Sequence, residues 1–226
     1  MKTLHNIYRY SDCTLSTNLP GVNKIQCYEN FNSCFQNNTT YVFDNCRSNF
    51  IDEPQAYQTK LGNGESFQFA LELALRYNDD HYVYFVEDDY LHKPEAHTVL
   101  MEGLEAFDYG FITLFDHADK YDNRKINPLV QVSNSMAGED TTLYLTKSCH
   151  WKITNSTTMT FASRVGNLRL AERIMRKHAI GRPTDFAMWL EIKKELNMNV
   201  YSSVPGYSTH CQTEWVSPLT NWSECA

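Results

Sequence analysis

The sequence lacks any long apolar run. No stretch approaches the roughly 18 apolar residues that a membrane-spanning helix needs, and the opening segment MKTLHNIYRYSDCTL lacks the apolar core of a signal peptide. We therefore expect an intracellular, cytoplasmic protein without a membrane span. No internal repeat, low-complexity tract or block of like charge divides the 226 residues, which predicts one domain over residues 1–226.

Positive charge is also scarce. Lys and Arg number 20 against 27 Asp and Glu, and the net charge is -7. Because a protein that binds nucleic acid needs a basic face for the phosphates, this balance argues against a nucleic-acid partner. No C-x-x-C pair occurs among the 7 cysteines, so neither a zinc site nor a redox motif is indicated and reduced thiols are expected.

What the sequence does contain is an alternation of strand-like and helix-like segments. The segments HNIYRY, TTYVFDNC, HYVYFV and YGFITLFD are rich in β-branched and aromatic residues and predict strands, as do TTLYLTKS and TMTFA later in the chain. Apolar residues at helical spacing over 67–75 predict a helix, and further helices are expected after Pro94, over 168–178 and after Pro183. This alternation predicts an α/β fold with a mixed, mostly parallel central sheet flanked by helices.

The stretch YVYFVEDDYLH ends an uncharged strand with three adjacent carboxylates, Glu87, Asp88 and Asp89. Ligands of open α/β sheets collect beyond the carboxyl ends of strands, and a cation between the three carboxylates would relieve their repulsion. Magnesium and manganese bind carboxylate oxygens and keep positions open for phosphate oxygens. Alternation along an extended strand end predicts that Glu87 and Asp89 face one side and Asp88 the other. A solvated acidic loop is the alternative interpretation.

This strand, preceded by a glycine-bearing turn and a helix, resembles the D-x-D region of GT-A glycosyltransferases. In that family an acidic motif ends a central strand and holds a divalent metal, usually manganese, against the diphosphate of a nucleotide-sugar donor. The present sequence has E-D-D in place of a strict D-x-D. The resemblance implies a GT-A (Rossmann-like) fold, and it extends to the N-terminal GT-A domains of chlorovirus proteins that build capsid glycans and to related bacterial sugar transferases.

The resemblance also implies a donor site that holds Mn²⁺ or Mg²⁺. It implies Asp89 as the direct metal ligand, with Glu87 and Asp88 sharing contacts to the metal and the donor ribose. In the segment GYSTHCQ, it implies that His210 is the histidine that such enzymes supply to the metal or the diphosphate. The other donor-binding residues that it implies follow the first two strands or lie in the segment GNGES: Tyr8, Arg9, Asp44, Asn45, Asn63 and Ser66.

For catalysis, Asp185 in the segment RPTDF matches the position of the family's catalytic acid. An inverting glycosyltransferase needs a carboxylate base near the acceptor hydroxyl; the alternative is an ordinary first-turn acid stabilised by the helix dipole. Four residues are candidates for the acceptor site because of their carboxylate, indole, amide and hydroxyl groups: Asp116, Trp151, Asn155 and Thr158. The alternative for Asp116 is a solvated loop, and the alternative for the other three is a polar edge strand.

Together these features predict a metal-dependent, inverting glycosyltransferase of the hexosyltransferase type. It would move a sugar from a nucleoside-diphosphate-sugar donor to a glycan or other hydroxyl acceptor, with a nucleotide-binding half over 1–115 and an acceptor half over 116–226. One alternative is a metal-dependent hydrolase of phosphate esters that uses the same carboxylates. Another is a noncatalytic carbohydrate-binding module, which would not require a nucleotide pocket.

Overall fold

The structure is a computed structural model that describes residues 2–12, 19–36, 38–46, 53, 55–118, 121 and 142–225. Five α-helices lie in this part of the chain: α1 Lys24–Cys34, α2 Asn63–Ala74, α3 Ala96–Ala106, α4 Val165–His178 and α5 Asp185–Leu196. None of these helices is long and apolar enough to span a membrane. The strands are β1 Leu4–Tyr10, β2 Thr39–Asp44, β3 Tyr57–Thr59, β4 Tyr82–Glu87, β5 Tyr90–His92, β6 Gly110–Thr113, β7 Leu143–Leu145, β8 His150–Thr154, β9 Phe161–Arg164, β10 Asn199–Val204 and β11 Ser208–His210.

Nine of these strands form one central sheet in the order β3-β2-β1-β4-β9-β6-β10-β8-β7. The first four of that order are mutually parallel. Strands β9 and β8 run antiparallel to their neighbours, whereas β6 and β10 pair in parallel. Within the described chain, all strands of this sheet except β8 and β9 therefore point the same way, which confirms the predicted mixed, mostly parallel sheet.

The sheet is covered by helices on both faces. Val83 and Phe85 of β4 pack in one apolar layer with residues of α2, α4 and α5. Tyr82 and Tyr84 of the same strand pack in a second layer with residues of α1 and α3. A strand that is buried on both faces has no reason to alternate polar and apolar residues, and the unbroken run HYVYFV is the sequence signature of this position.

A second, two-stranded sheet pairs β5 with β11 in antiparallel register. Neither of these three-residue strands is predicted from the sequence. The pairing is nevertheless important for the site, because His210 of β11 lies opposite Tyr90, the residue that follows Asp89. The backbone N–H of Cys211 donates to the carbonyl oxygen of Asp89 at 2.7 Å, which fixes the C-terminal segment against the end of β4.

Candidate functional site

The carboxyl ends of β1, β2 and β4 open onto one cleft with a volume of about 830 Å³. Parallel strands end at the same edge of a sheet, so side chains from distant parts of the chain meet there. The start of α2, residues 156–159, the segment that enters α5 and the C-terminal segment complete the walls. The cleft brings together many of the residues predicted for the donor, metal, catalytic and acceptor sites: Arg9, Asp44, Asn63, Ser66, Glu87, Asp88, Asp89, Thr158, Asp185 and His210.

The acidic cluster lies where β4 ends and the chain turns. Strand β4 ends at Glu87, and Asp88 and Asp89 form a turn before β5. Because the chain leaves the extended conformation at this point, the strand rule that predicts opposite directions does not apply, and all three carboxylates line the cleft. The predicted grouping of Glu87 with Asp89 rests on an extended conformation that ends before Asp89, and it stays a prediction.

Each carboxylate of the cluster is paired with a different cationic side chain. Arg9 lies beside Glu87 in the β1–β4 register, and its Nη2 is 2.6 Å from Glu87 Oε1. Lys24 Nζ is 2.8 Å from Asp88 Oδ2, and His210 Nε2 is 3.0 Å from Asp89 Oδ2. Within the described structure, the repulsion between the carboxylates is thus offset by the protein's own cations.

Lys24 is a site residue that sequence reasoning missed. It is the first residue of α1, a helix without an acidic residue in its first turn, where a cation opposes the helix dipole. Its ammonium group also donates to the carbonyl oxygen of Ser11, whose own N–H donates to Asp88 Oδ2 at 2.7 Å. The sequence feature that could have indicated Lys24 is a cation at an unfavourable helical position, because a nearby anion offsets the cost of that position.

The environments of the cluster shift its pKa values in opposite directions. Burial raises the pKa of Glu87 to about 7 although Arg9 lowers it, and burial raises the pKa of Asp88 to about 6 against the effect of Lys24. Burial also acts to raise the pKa of Asp89, but the ion pair with His210 outweighs it and the pKa is lowered. Burial acts to lower the pKa of His210, and Asp89 raises it overall. The contact between the two side chains therefore favours the ionised form of both Asp89 and His210.

Asp89 and His210 each keep one buried atom without a hydrogen-bond partner, Oδ1 and Nδ1 respectively. Such unsatisfied buried atoms are costly unless a ligand completes them. In the part of the chain that the structure describes, no group of three or more His, Cys, Asp or Glu side chains is arranged to hold a metal ion, and Glu87 is turned to Arg9. Asp89 and His210 therefore keep uncommitted oxygen and nitrogen atoms of the kind that ligates divalent cations.

Asp44 lines the cleft, but its carboxylate is hydrogen-bonded to the segment between β2 and α2. It accepts hydrogen bonds from Thr59 Oγ1 at 2.8 Å, from the N–H of Leu61 at 2.7 Å and from the N–H of Gly62 at 2.9 Å. Asn45 does not line the cleft in the described structure, and its Nδ2 donates to Asp44 Oδ2 at 2.8 Å. These bonds fix the segment that leads into α2.

The start of α2 is also tied to β1. Arg9 Nη1 donates to the carbonyl oxygen of Asn63 at 2.9 Å, so one guanidinium joins α2 to Glu87 at the end of β4. Ser66, one turn further along the helix, lines the cleft beside them. The N-terminal turn of α2 is thereby held at the floor of the cleft.

Asp185 is the first residue of α5, as predicted from Pro183. Its Oδ2 accepts the backbone N–H groups of Thr157 at 3.0 Å and Thr158 at 2.8 Å. Thr158 and Met159 have positive φ angles of 46° and 66°, a conformation that non-glycine residues adopt rarely. The turn that presents these amides to Asp185 is therefore held in an uncommon shape at the edge of the cleft.

Two aromatic residues predicted to bind ligands lie in the core instead. Tyr8 is 0% exposed and its ring contacts those of Tyr28 and Phe31, because it points into the layer beneath α1. Trp151 is also 0% exposed, and it packs so closely on Gly103 that a Cβ there would lie 2.6 Å from the indole. The predictions that Tyr8 contacts the donor and that Trp151 contacts the acceptor are wrong.

Two polar residues predicted for the acceptor site also lie outside the cleft lining in the described structure. Asp116 is fully buried and its Oδ1 is 2.7 Å from Lys152 Nζ. Asn155 is buried as well, and neither residue is among the described residues that line the cleft. Asp116 follows β6 and Asn155 follows β8, but the cleft wall is formed instead by Ser156 and Thr158.

Several cleft residues carry no sequence motif and could be located only in the folded chain. His117, Gln212 and Trp215 form part of one wall, and Arg182 and Phe186 flank Asp185. Phe186 lies on α5 outside the buried stripe of Met188, Trp189 and Ile192, and its side chain is 48% exposed.

No family model and no curated protein matches this sequence. Among solved structures, the 2-C-methyl-D-erythritol 4-phosphate cytidylyltransferase (IspD) of Francisella tularensis matches with a TM-score of 0.51 and 13% identity, covering 99% of this chain and 97% of that chain. S. aureus TarS 1-349 matches with a TM-score of 0.48 and 12% identity, covering 91% of this chain and 59% of that chain. At this identity the similarity to IspD shows the fold alone, a Rossmann-like α/β fold as predicted.

Proposed function

We propose that this chain is a glycosyltransferase that moves a sugar from a nucleoside-diphosphate sugar to a hydroxyl acceptor such as a glycan. The observation that carries the proposal is the pair Asp89–His210 in the cleft, 3.0 Å apart, each with one unsatisfied buried atom. The pair joins the end of a central strand to the C-terminal segment, as the sequence resemblance implies. IspD is by its name a cytidylyltransferase, but a shared fold does not assign a reaction.

The donor would bind across the carboxyl ends of β1, β2 and β4. The N-terminal turn of α2 offers a positive dipole end to phosphate oxygens, and Asn63 and Ser66 of this turn line the cleft. Arg9 and Lys24 keep Glu87 and Asp88 largely compensated, which limits the repulsion that an incoming diphosphate would meet. In this account Asp44 positions the segment before α2 rather than contacting the nucleoside through a free carboxylate.

Asp89 and His210 would hold Mn²⁺ or Mg²⁺. A metal-binding histidine nitrogen must be unprotonated, so the proton shared between Asp89 and His210 would leave when the ion binds. When bound, the ion supplies charge neutralisation to the departing diphosphate. Glu87 and Asp88 act in this proposal as positioning residues, because each is committed to a cation of the protein.

Asp185 would act as the general base. The amides of Thr157 and Thr158 hold its Oδ2, and in the described structure no hydrogen bond engages its Oδ1. In the proposed step Oδ1 takes the proton of the acceptor hydroxyl while the hydroxyl oxygen bonds to the anomeric carbon. The bond between that carbon and the diphosphate oxygen breaks at the same time, which gives a product of inverted configuration.

The proposal is tested by thermal unfolding with a panel of nucleotide sugars, in manganese and in chelator. A ligand present at 100 times its dissociation constant stabilises a protein by roughly 2.7 kcal/mol, so a true donor should raise the melting temperature clearly in manganese. A carbohydrate-binding module would respond to free sugars and not to nucleotides. No response to any nucleotide sugar or nucleoside diphosphate would contradict the proposal.

A further inference from the structure

We propose that Trp215 is the stacking platform for a pyranose ring in the cleft. The inference rests on the proposed glycosyltransferase function and adds a residue that recognises the sugar. It differs from the expectation that Trp151 takes this role, since Trp151 is buried in the core.

The four tryptophans of the chain fall into two groups. Trp151, Trp189 and Trp222 are 0%, 2% and 2% exposed, whereas Trp215 is half-buried and lines the cleft. A tryptophan that serves only the core is normally enclosed, because its large apolar surface gains most when it is removed from water. Trp215 packs part of its ring against the core layer beneath α1 and α3 and leaves the rest exposed at the cleft, where a ligand can contact it.

Hydrogen bonding separates the same two groups. The indole N–H of Trp151 donates to Thr146 Oγ1 at 3.0 Å, that of Trp189 to Thr157 Oγ1 at 3.0 Å and that of Trp222 to the carbonyl oxygen of Ser217 at 2.8 Å. Within the described residues, the indole N–H of Trp215 has no acceptor. It is available to donate to a hydroxyl group of a bound ligand.

A backbone hydrogen bond and an aromatic contact fix the position of Trp215. It ends a short 3-10 turn over Thr213–Trp215, and its backbone N–H donates to the carbonyl oxygen of Gln212 at 2.8 Å. Its ring centroid is 5.0 Å from that of His117, and the His117 ring is 5.0 Å from that of Phe115. A ring that is supported in this way loses little conformational freedom when it binds a ligand.

The same wall leads back to the proposed diphosphate site. Phe115 lies 6.5 Å from His210 between ring centroids, so aromatic contacts run from His210 through Phe115 and His117 to Trp215. A pyranose has an apolar C–H face that packs on an aromatic ring, and hydroxyl groups at its edge that need polar partners. Trp215 supplies the aromatic face, and its free N–H and the neighbouring Gln212 supply polar groups.

The sugar on Trp215 belongs either to the donor or to the acceptor, and tryptophan fluorescence distinguishes them. Because the other three tryptophans are buried, acrylamide should quench mainly Trp215, and Trp215→Phe should remove most of the quenchable emission. The probes are UDP-glucose, UDP-galactose, GDP-mannose, the free diphosphates UDP and GDP, and free hexoses, all with manganese. Protection by a nucleotide sugar beyond that of its diphosphate assigns the donor sugar, and protection by free hexose assigns the acceptor.

Calorimetric binding to variants provides the second readout. Trp215→Ala should weaken the nucleotide sugar or hexose that protects the wild type by about tenfold and leave binding of the free diphosphate unchanged. Trp215→Phe should recover part of the loss, because it keeps an aromatic face. Tyr109→Ala is the matched control, since Tyr109 is an aromatic residue 55% exposed and outside the cleft lining.

The two proposals fail in different ways. If diphosphates bind but no sugar protects Trp215, or if Trp215→Ala binds every sugar ligand normally, the platform is wrong and the nucleotide site stands. If hexoses protect Trp215 and no nucleotide binds, the platform stands and the glycosyltransferase proposal is wrong. Absence of binding by all probes contradicts both.

Discussion

Asp89 and its two preceding neighbours carry the same charge in the sequence but lie in three different environments. Glu87 and Asp88 are turned to Arg9 and Lys24, and Asp89 is turned to His210. Arginine and lysine cannot bind a metal at neutral pH, whereas histidine can. Asp89 and His210 are therefore the members of this network that can exchange a proton for a metal ion.

His210→Ala should separate the diphosphate from the nucleoside. If His210 serves the metal and diphosphate, the variant should bind a nucleoside diphosphate in manganese at least about tenfold more weakly and bind the bare nucleoside as the wild type does. Titration calorimetry with UDP and uridine, or with the pair whose diphosphate binds the wild type, measures both. An equal loss for the two ligands would mean that His210 has only a structural role.

Asp185→Asn tests the proposed base. Asparagine keeps the shape of the side chain and can still accept the amides of Thr157 and Thr158, but it cannot take a proton from the acceptor. Turnover should fall by about 100-fold or more, the scale for removing a general base, with donor affinity nearly unchanged. Steady-state kinetics and the anomeric configuration of the product provide the check: near-normal turnover, or a retained configuration, would exclude Asp185 as the base of an inverting step.

At the residue scale, sequence reasoning located cleft residues where strands end and failed where side-chain direction decides. Arg9, Glu87 and Asp89 were expected in the site from the family resemblance at strand ends, and all three line the cleft. Tyr8 and Trp151 have plausible chemistry, but both point into the core, and no local pattern separates a buried aromatic residue from one in a cleft. Trp215 was missed for the same reason.

At the scale of elements, α2 approaches the segment between α4 and α5 through Gly64. Its N–H donates to the carbonyl oxygen of Gly181 at 2.8 Å, and a Cβ at this position would lie 2.3 Å from the carbonyl oxygen of Ala179. Only glycine allows this contact between two backbones. The contact connects the helix beneath the proposed donor site to the segment that leads to Asp185.

Gly64→Ala should therefore destabilise the fold by about 1–3 kcal/mol, the usual cost of overpacking, and should also weaken nucleotide binding. The matched control is Gly166→Ala in α4, where the nearest atom to an added Cβ is 3.3 Å away and a smaller cost is expected. Urea unfolding of the two variants measures the difference. Equal stability of Gly64→Ala and the wild type would show that this backbone contact is not needed.

The strand β5 carries a buried histidine whose charge state links stability to pH. His92 is 0% exposed, its Nε2 shares a 2.8 Å hydrogen bond with the Tyr84 hydroxyl, and burial lowers its pKa to about 3. The unfolded chain binds a proton at this residue below its ordinary pKa of 6.5, whereas the folded chain does not. The stabilisation is thus complete above pH 6.5 and is lost as the pH falls towards 3.

His92→Gln should reveal this dependence. The variant keeps a polar group near Tyr84 but removes the titrating ring, so it should be less stable than the wild type at pH 7. The difference should narrow by about 1.6 kcal/mol between pH 6.5 and pH 5, because the slope approaches roughly 1.4 kcal/mol for each pH unit only below pH 6. Denaturant titrations at the two pH values provide the comparison, and a difference that stays constant would contradict a neutral buried His92.

Long elements with a clear apolar period were predicted from the sequence, whereas several very short strands were not. The segment over 67–75 repeats apolar residues over two helical turns and is found in α2 and the turn that follows it. The strands β3, β5 and β11 have three residues each, too few to show a period of two. The β5–β11 pair brings His210 to Asp89. The family resemblance indicated His210 as a site residue, but neither it nor the strand pattern predicted this contact.

At the scale of the whole molecule, the cleft combines residues from both parts of the chain. Arg9, Asp44 and the cluster ending at Asp89 come from residues 1–115, whereas Asp185 and Trp215 come from 116–226. The division into a nucleotide-binding and an acceptor half stays a prediction, as does the resemblance to chlorovirus proteins. The fold class followed from strand and helix alternation, because that pattern reflects burial of the sheet on both faces.

The most direct test of the central claim is calorimetric binding of nucleoside diphosphates with manganese and with chelator, for the wild type and for Asp89→Asn. The matched control is Asp79→Asn, an exposed acid paired with Arg169 outside the cleft lining. We predict that manganese strengthens binding at least about tenfold in the wild type and the control, and not in Asp89→Asn, while all three proteins remain folded. Equal affinity in manganese and in chelator, or an unchanged gain in Asp89→Asn, would contradict the account.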